Sequence, residues 1–422
     1  MNYVVLGASA AGINAVKTLR ELDKDSNIVV ISKDENVYSR CMLHHVISEH
    51  RTLKQINFVD EDFMEQNNVK WIAGKTVKGI DINKKVVQTE DITVNYDKLL
   101  IATGASSAIP PIKNLRDGNF VYSVRNIDDI YKIKEKAQNS KNVVIIGAGL
   151  VGIDALVGLF KYEQLNISVA FMEKYILDRQ LDEYTASVYE NKFKEKGVKF
   201  YPSASIQEIV LDNSKNVTGV AFSNGEVLDA DMVIVATGVK PNADFLDGTG
   251  IEYDRGITID DMCQTTQKDI YAAGDVVGKN AIWPLAVKQG IVAAYNMVGK
   301  DKKIEDEFAF KNSMNFMDIP TISIGMNTPV DDSYKVLTRH GINDYKKFVF
   351  KDNVIYGAVI QGDISYVGVL TYLIKNKVEI YDLENRIFDV CYADFFNIKE
   401  NGEFCYSIYV KCEVRFINTV NQ

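Results

Sequence analysis

Along the first 300 residues, short apolar runs alternate with amphipathic stretches, and the order of these elements repeats. Tyr3 to Leu6 is an apolar run that enters GASAAG (7–12); INAVKTLREL then carries its apolar residues at helical spacing, and NIVVIS (27–32) reads as the next strand. The same strand, glycine loop, helix and strand recur 140 residues later, where Asn142 to Ile146 leads into GAGLVG (147–152), IDALVGLFKYE and ISVAF (167–171). A second echo pairs KLLIATGA (98–105) with MVIVATGV (232–239), two apolar strands that each end in Ala-Thr-Gly. The pattern predicts an α/β chain with two Rossmann-like nucleotide-binding domains. Past about residue 305 the strand-like KKFVFKDNVIYGAVIQG and the helix-like YVGVLTYLIKNK predict a separate α+β segment.

The glycine spacing has a physical reason. After each strand the backbone must turn sharply and let a pyrophosphate reach the first helical N–H groups, where unpaired donors and the helix dipole favour negative charge. Gly7 and Gly12 in the first loop, and Gly147, Gly149 and Gly152 in the second, meet this need. Ser9 stands where the first loop would carry its middle glycine. Ala10 and Ala11, and Leu150 and Val151, then supply the helix-start amides. The second strand of such a unit usually ends in an acid that bonds the ribose hydroxyls. Here those positions are Ser32 and Phe171, and each is followed two residues later by an acid, Asp34 and Glu173. If the strand continues, each acid faces the same side as the expected one. Glu173 is therefore a candidate for the NAD(P) ribose, while Ser32 and Lys33 are candidates for an adenosine in the first site.

Composition narrows the function classes. The 422 residues are 46% apolar and 25% charged, which is ordinary globular usage with room for two or three cores. A net charge of −9 argues against a general affinity for nucleic acid or anionic lipid. No run reaches membrane-spanning length and the N-terminus lacks signal-peptide features, so the expectation is a cytoplasmic protein without a membrane partner. The five cysteines, at 41, 263, 391, 405 and 412, form no disulfide framework.

A third motif, DIYAAGDVVGKNAIWPLAVKQGIVAAYNMVG (269–299), in register with GASAAG, YDKLLIATGA and VIVATGVKPN, resembles the pyridine nucleotide-disulfide oxidoreductase family over residues 1 to about 300. The stretches VYSVRNIDDI and ILDRQLDEY are similar to members of the same family. The resemblance implies a FAD domain at 1–112 and 243–305, an NAD(P) domain inserted at 113–242, and a C-terminal interface domain at 306–422 that makes homodimers. It implies FAD against the first loop, Arg40, Cys41, Val77, Ala102, Thr103, Gly104, Asp275 and Pro284. NAD(P)H is implied against the second loop and Gly238, and the lack of an arginine cluster after Phe171 tilts the choice to NADH.

The stretch VYSRCMLHHVISEH (37–50) holds three of the four histidines beside Cys41. RCMLHHVISE is similar to the single-cysteine branch of coenzyme A disulfide reductases and NADH oxidases, in which Cys41 falls on the redox cysteine; YSR is similar to the rubredoxin and nitrite reductase branch, which uses no catalytic thiol. A helix starting near Met42, with Arg40 alongside, would lower the Cys41 thiol pKa and make it a redox nucleophile. Val46 stands where a second redox cysteine would be, and Ala10 where the peroxidases of this family place a histidine, so an internal dithiol and peroxidase activity are not expected. Cys41, His44, His45 and His50 fit no common zinc spacing, and no metal is expected. Cys263, Cys391, Cys405, Cys412 and the aromatic tail CYADFFNIKENGEFCYSIYVK read as structural. Three functions stay open: NADH reducing a small disulfide, polysulfide or oxygen species through FAD and Cys41; NADH reducing a protein carrier such as rubredoxin; or a slow flavin-based redox sensor.

Overall fold

The computed structural model describes residues 1–278, 281–305, 311–380 and 382–391, with backbone alone at 396–398 and 404–406. Cys405, Cys412 and most of the aromatic tail lie outside these residues. The chain forms two compact units. The first runs over Met1–Arg179 and resumes at Ala186; the second holds Gln180–Thr185 and the described chain beyond Ala309.

The first unit contains two five-stranded parallel sheets of the same design. One orders its strands Ile270–Ala272, Lys98–Ile101, Asn2–Leu6, Asn27–Ile31, Val69–Ile72. The other orders them Val121–Ser123, Met232–Val235, Asn142–Ile146, Asn166–Ala170, Lys199–Tyr201. Parallel strands buried on both faces need continuous apolar runs, which is how Tyr3 to Leu6 and Val143 to Ile146 read. The repeat extends to single hydrogen bonds: Gly7 N–H donates to the Ile31 carbonyl and Gly147 N–H to the Ala170 carbonyl, both at 2.8 Å. Each central strand then hands its last carbonyl, Leu6 or Ile146, to the N–H of Ala102 or Ala236, again at 2.8 Å.

The helices Ala10–Leu22 and Trp283–Met297 pack closely because Gly290 presents no side chain where a Cβ would sit 2.2 Å from the Ala11 carbonyl oxygen. A short antiparallel pair, Ala105–Ser107 with Val239–Pro241, joins the segments that follow the two Ala-Thr-Gly strands. The second unit is an antiparallel five-stranded sheet in the order Lys311–Phe316, Ile319–Gly325, Val354–Gln361, Tyr345–Lys351, Lys335–His340, with helix Val367–Asn376 packed on its central strands. The α/β class with parallel sheets and a C-terminal sheet segment is as expected. Among the described residues no helix is long and apolar enough to cross a membrane.

Candidate functional site

Both glycine loops present an uncapped helix start. A Cβ on Gly12 would lie 1.9 Å from the Gly7 carbonyl oxygen, and one on Gly152 would lie 2.0 Å from that of Gly147, so these glycines allow the loop to fold back on its own helix. Gly149 is different, because a Cβ there meets nothing within 4 Å. Its place at the N-cap of helix Leu150–Leu159 opens onto space from which a phosphate can approach the first amides. Ser9 occupies the same N-cap position on Ala10–Leu22 and makes no side-chain cap bond, so those amides also keep their anion-binding capacity. The donor set therefore fits a dinucleotide at each loop. Leu150 and Val151 open the second helix, as Ala10 and Ala11 open the first.

The other expected cofactor residues gather around the first loop in part. Ala102 is buried beside Gly7, and Thr103 exchanges two 2.9 Å bonds with Asn242. Gly104 follows with a left-handed φ of 67°. Ser32 is buried with its N–H on the Ile72 carbonyl, whereas Lys33 is exposed. Val77 packs against the core beneath the same sheet, and Pro284 lies in the first turn of Trp283–Met297. The Gly238 carbonyl accepts from Ala108 N–H at the short pair that joins the two halves. Strand Asn166–Ala170 ends before Phe171, yet the carbonyls of Phe171 and Glu173 still accept from Ala204 and Ser203; the Glu173 side chain is exposed.

Two acids have partners that sequence spacing did not reveal. Asp34 forms an ion pair with Arg40 and accepts from the Tyr38 hydroxyl, so its carboxylate is engaged away from a ribose role. Arg40 also donates to the Tyr38 oxygen and to the Arg125 carbonyl. Asp275, in the turn that follows the buried strand Ile270–Ala272, accepts from Arg125 Nη2 at 2.7 Å; Arg125 Nε donates to the Ala105 carbonyl. Gln289 Oε1 fixes this turn by accepting from Gly274 N–H at 2.8 Å. Asp34, Arg40, Arg125 and Asp275 thus form a charged chain that links the first sheet to the segment opening helix Ile127–Ala137.

Cys41 lies exposed in the single turn Arg40–Met42, and the helix that follows, Leu43–Ile47, has only five residues. The expected activation by Arg40 and a helix dipole is overturned. Arg40 is held by Asp34, and the surroundings push the Cys41 thiol up rather than down, first by desolvation, then by the charges of Asp154 and Asp275. The cation that pulls it down is Arg125. His44, His45 and His50 form a ring cluster, with centroids 4.1 Å and 6.5 Å apart along it. Among the described residues no group of three or more His, Cys, Asp or Glu side chains is arranged to hold a metal. Cys263 is fully buried and its thiol is pushed up to about 12 by burial, in keeping with a structural role.

Asp154 and Arg125 are the residues that sequence reading missed. Arg125 stands inside a stretch whose family likeness was visible, and Asp154 is the one charged residue in the otherwise apolar helix LVGIDALVGL, which is the signal that marks it.

Comparison with known proteins agrees with this geometry. A family model described as pyridine nucleotide-disulphide oxidoreductase matches residues 1–290, and one described as the rubredoxin NAD+ reductase C-terminal domain matches 311–378. The chain is 30% identical over 400 residues to the NADH-dependent phenylglyoxylate dehydrogenase subunit epsilon of Aromatoleum evansii, covering 91% of this chain and 94% of that protein. It is 30% identical over 368 residues to the NADH-rubredoxin oxidoreductase of Clostridium acetobutylicum, covering 86% of this chain and 91% of that one. The structure of an NAD-dependent persulfide reductase from A. fulgidus superposes with a TM-score of 0.83 at 25% identity, over 91% of this chain and 79% of the other.

Proposed function

This chain belongs to the pyridine nucleotide-disulphide oxidoreductase family and is a FAD-dependent NAD(P)H oxidoreductase, and we propose that Cys41 carries its electrons to a small sulfur acceptor. In this reading residues 1–112 and 243–305 hold FAD, residues 113–242 hold NADH, and Gly7, Ser9 and Asp275 contact the flavin nucleotide. FAD held by these residues would supply the two-electron chemistry that links NADH to a sulfur acceptor. The chain's own residues bind the two pyrophosphates at uncapped helix starts, orient Asp275 through Arg125, and present one exposed thiol.

The observation that carries the proposal is where that thiol stands. Cys41 sits in the turn before helix Leu43–Ile47, which packs on helix Leu150–Leu159 after the second glycine loop, while its neighbour Arg40 pairs with Asp34 and bonds the Arg125 carbonyl. A sulfur held between these segments can pass an electron pair onward by thiol–disulfide exchange. The persulfide reductase named among the structural neighbours supports this class of acceptor.

A second reading has its own support. The match of residues 311–378 to the rubredoxin NAD+ reductase C-terminal domain, with the rubredoxin-reducing relative, favours a protein carrier as acceptor and leaves Cys41 a bystander. Steady-state turnover of wild type and Cys41→Ser with a small disulfide, a persulfide and rubredoxin separates the two. The thiol reading predicts loss of sulfur reduction in the variant; equal rates for all acceptors favour the carrier.

A further inference from the structure

We propose that Tyr38 is a positioning residue for hydride transfer from NADH: its hydroxyl ties the start of helix Ile127–Ala137, in the half that holds NADH, to Asp34 and Arg40, in the half that holds FAD. The inference rests on the nucleotide assignment above and is independent of Cys41.

Tyr38 is 3% exposed. Its hydroxyl donates to Asp34 Oδ1 at 3.1 Å and accepts from Arg40 Nη1 and from the Ile127 N–H, both at 3.2 Å, so its hydrogen and its lone pairs are all in use. Burial pushes the hydroxyl up to about 12, which keeps it a protonated donor. The Ile127 N–H is one of the first-turn donors that a helix cannot satisfy by itself. Asn126 caps the same helix by accepting from the Asp129 N–H at 3.0 Å, and the remaining cap comes from a tyrosine 89 residues earlier in the chain. Arg40 adds a bond to the Arg125 carbonyl, so the backbone on both sides of Asn126 is held from one segment. Apolar packing alone does not need this hydroxyl, since phenylalanine has the same ring.

The segment stays on the insert further along. A Cβ on Gly158 would sit 2.9 Å from the His44 carbonyl oxygen, so that glycine lets helix Leu43–Ile47 settle on helix Leu150–Leu159, where His44 Nδ1 lies 3.7 Å from Asp154 Oδ2. Glu49 then pairs with Lys134 and Lys161. Tyr38 acts at the entry, where the chain passes into the insert, and a shift there is carried into everything that follows. Hydride transfer needs the reacting atoms within about 3–3.5 Å, and a misplacement of about 1 Å can cost about a hundredfold in rate. The second glycine loop lies wholly within the insert, so NADH affinity does not depend on the Tyr38 bond. Tyr38 works through the backbone of Ile127, which makes it a positioning residue.

Anaerobic stopped-flow reduction of the flavin-loaded protein over a range of NADH concentrations tests this in Tyr38→Phe, which deletes the hydroxyl alone. The limiting rate is expected to fall about tenfold while the NADH dissociation constant stays within about twofold of wild type. The nicotinamide–flavin charge-transfer absorbance is expected to weaken, and hydrogen–deuterium exchange over Ile127–Ala137 to rise. If that variant does not fold, Ile127→Pro removes the donor instead: proline is tolerated at the first helical position, and Asn126, at φ −137° and ψ 169°, is already extended as a residue before proline must be. An unchanged limiting rate and charge-transfer absorbance overturn the proposal alone, as does a loss of NADH affinity at an unchanged limiting rate. Failure of NADH to reduce the wild-type flavin overturns the nucleotide assignment and the proposal with it.

Discussion

Arg125 Nη2 donates to Asp275 Oδ2 at 2.7 Å across 150 residues of sequence, with both side chains more than three-quarters shielded from solvent. This bond joins the turn that closes the first sheet to the segment that opens the insert. A charge-assisted bond of this kind contributes roughly 1.5–3 kcal/mol, and it also fixes the cation that lowers the Cys41 thiol.

Replacing that cation changes the thiol. In Arg125→Gln the influence that lowers the Cys41 thiol is lost, so its thiolate fraction falls and alkylation at pH 8 slows about threefold. Asp154→Asn, which removes a charge that raises the thiol, is expected to speed alkylation, and iodoacetamide labelling of Cys41 in both variants checks the sign of each.

The two kinds of loop glycine separate binding from folding. Gly149→Ala adds a methyl into open space, so the protein keeps its thermal stability while the affinity for NADH falls about tenfold, or about 1.4 kcal/mol. Gly152→Ala forces a Cβ against the Gly147 carbonyl and is expected to destabilise by more than about 2 kcal/mol. Thermal melts beside NADH titrations of both variants test the distinction.

Much of this architecture was legible in the sequence because local periodicity and glycine spacing are short-range signals. The two βαβ units and the Ala-Thr-Gly strands are visible in runs of five to thirty residues. What was not legible is which charges meet. Arg40 looked like the activator of its neighbour Cys41, but Asp34, six residues earlier, takes it once the turn folds. Asp154 reaches His44 only because Gly158 permits two helices over 100 residues apart in sequence to come together. Such pairings depend on tertiary packing, which spacing along one chain does not encode.

The buried pair also makes stability depend on pH. The folded Asp154 carboxyl, raised from 3.8 to about 7, keeps a proton that the unfolded chain releases, so its stabilising effect is complete below about pH 4 and is lost as pH rises through 7. Asp154→Asn is expected to match wild type near pH 4 and to exceed it by on the order of a few kcal/mol at pH 8. His44 runs the other way. Its pKa is lowered from 6.5 to about 4, so its stability is full above 6.5 and declines as pH falls toward 4, and His44→Gln removes that decline. Urea unfolding of the flavin-loaded proteins at pH 4, 6 and 8 measures both.

The central claim is that Cys41 is a redox centre in series with the flavin. Anaerobic titration with NADH of protein isolated in air, comparing wild type with Cys41→Ser, tests it most directly. The account predicts that the wild type takes up a second electron pair beyond that needed by the flavin and that Cys41→Ser takes up only the first. Identical electron counts, with the variant reducing small sulfur acceptors at the wild-type rate, would contradict it.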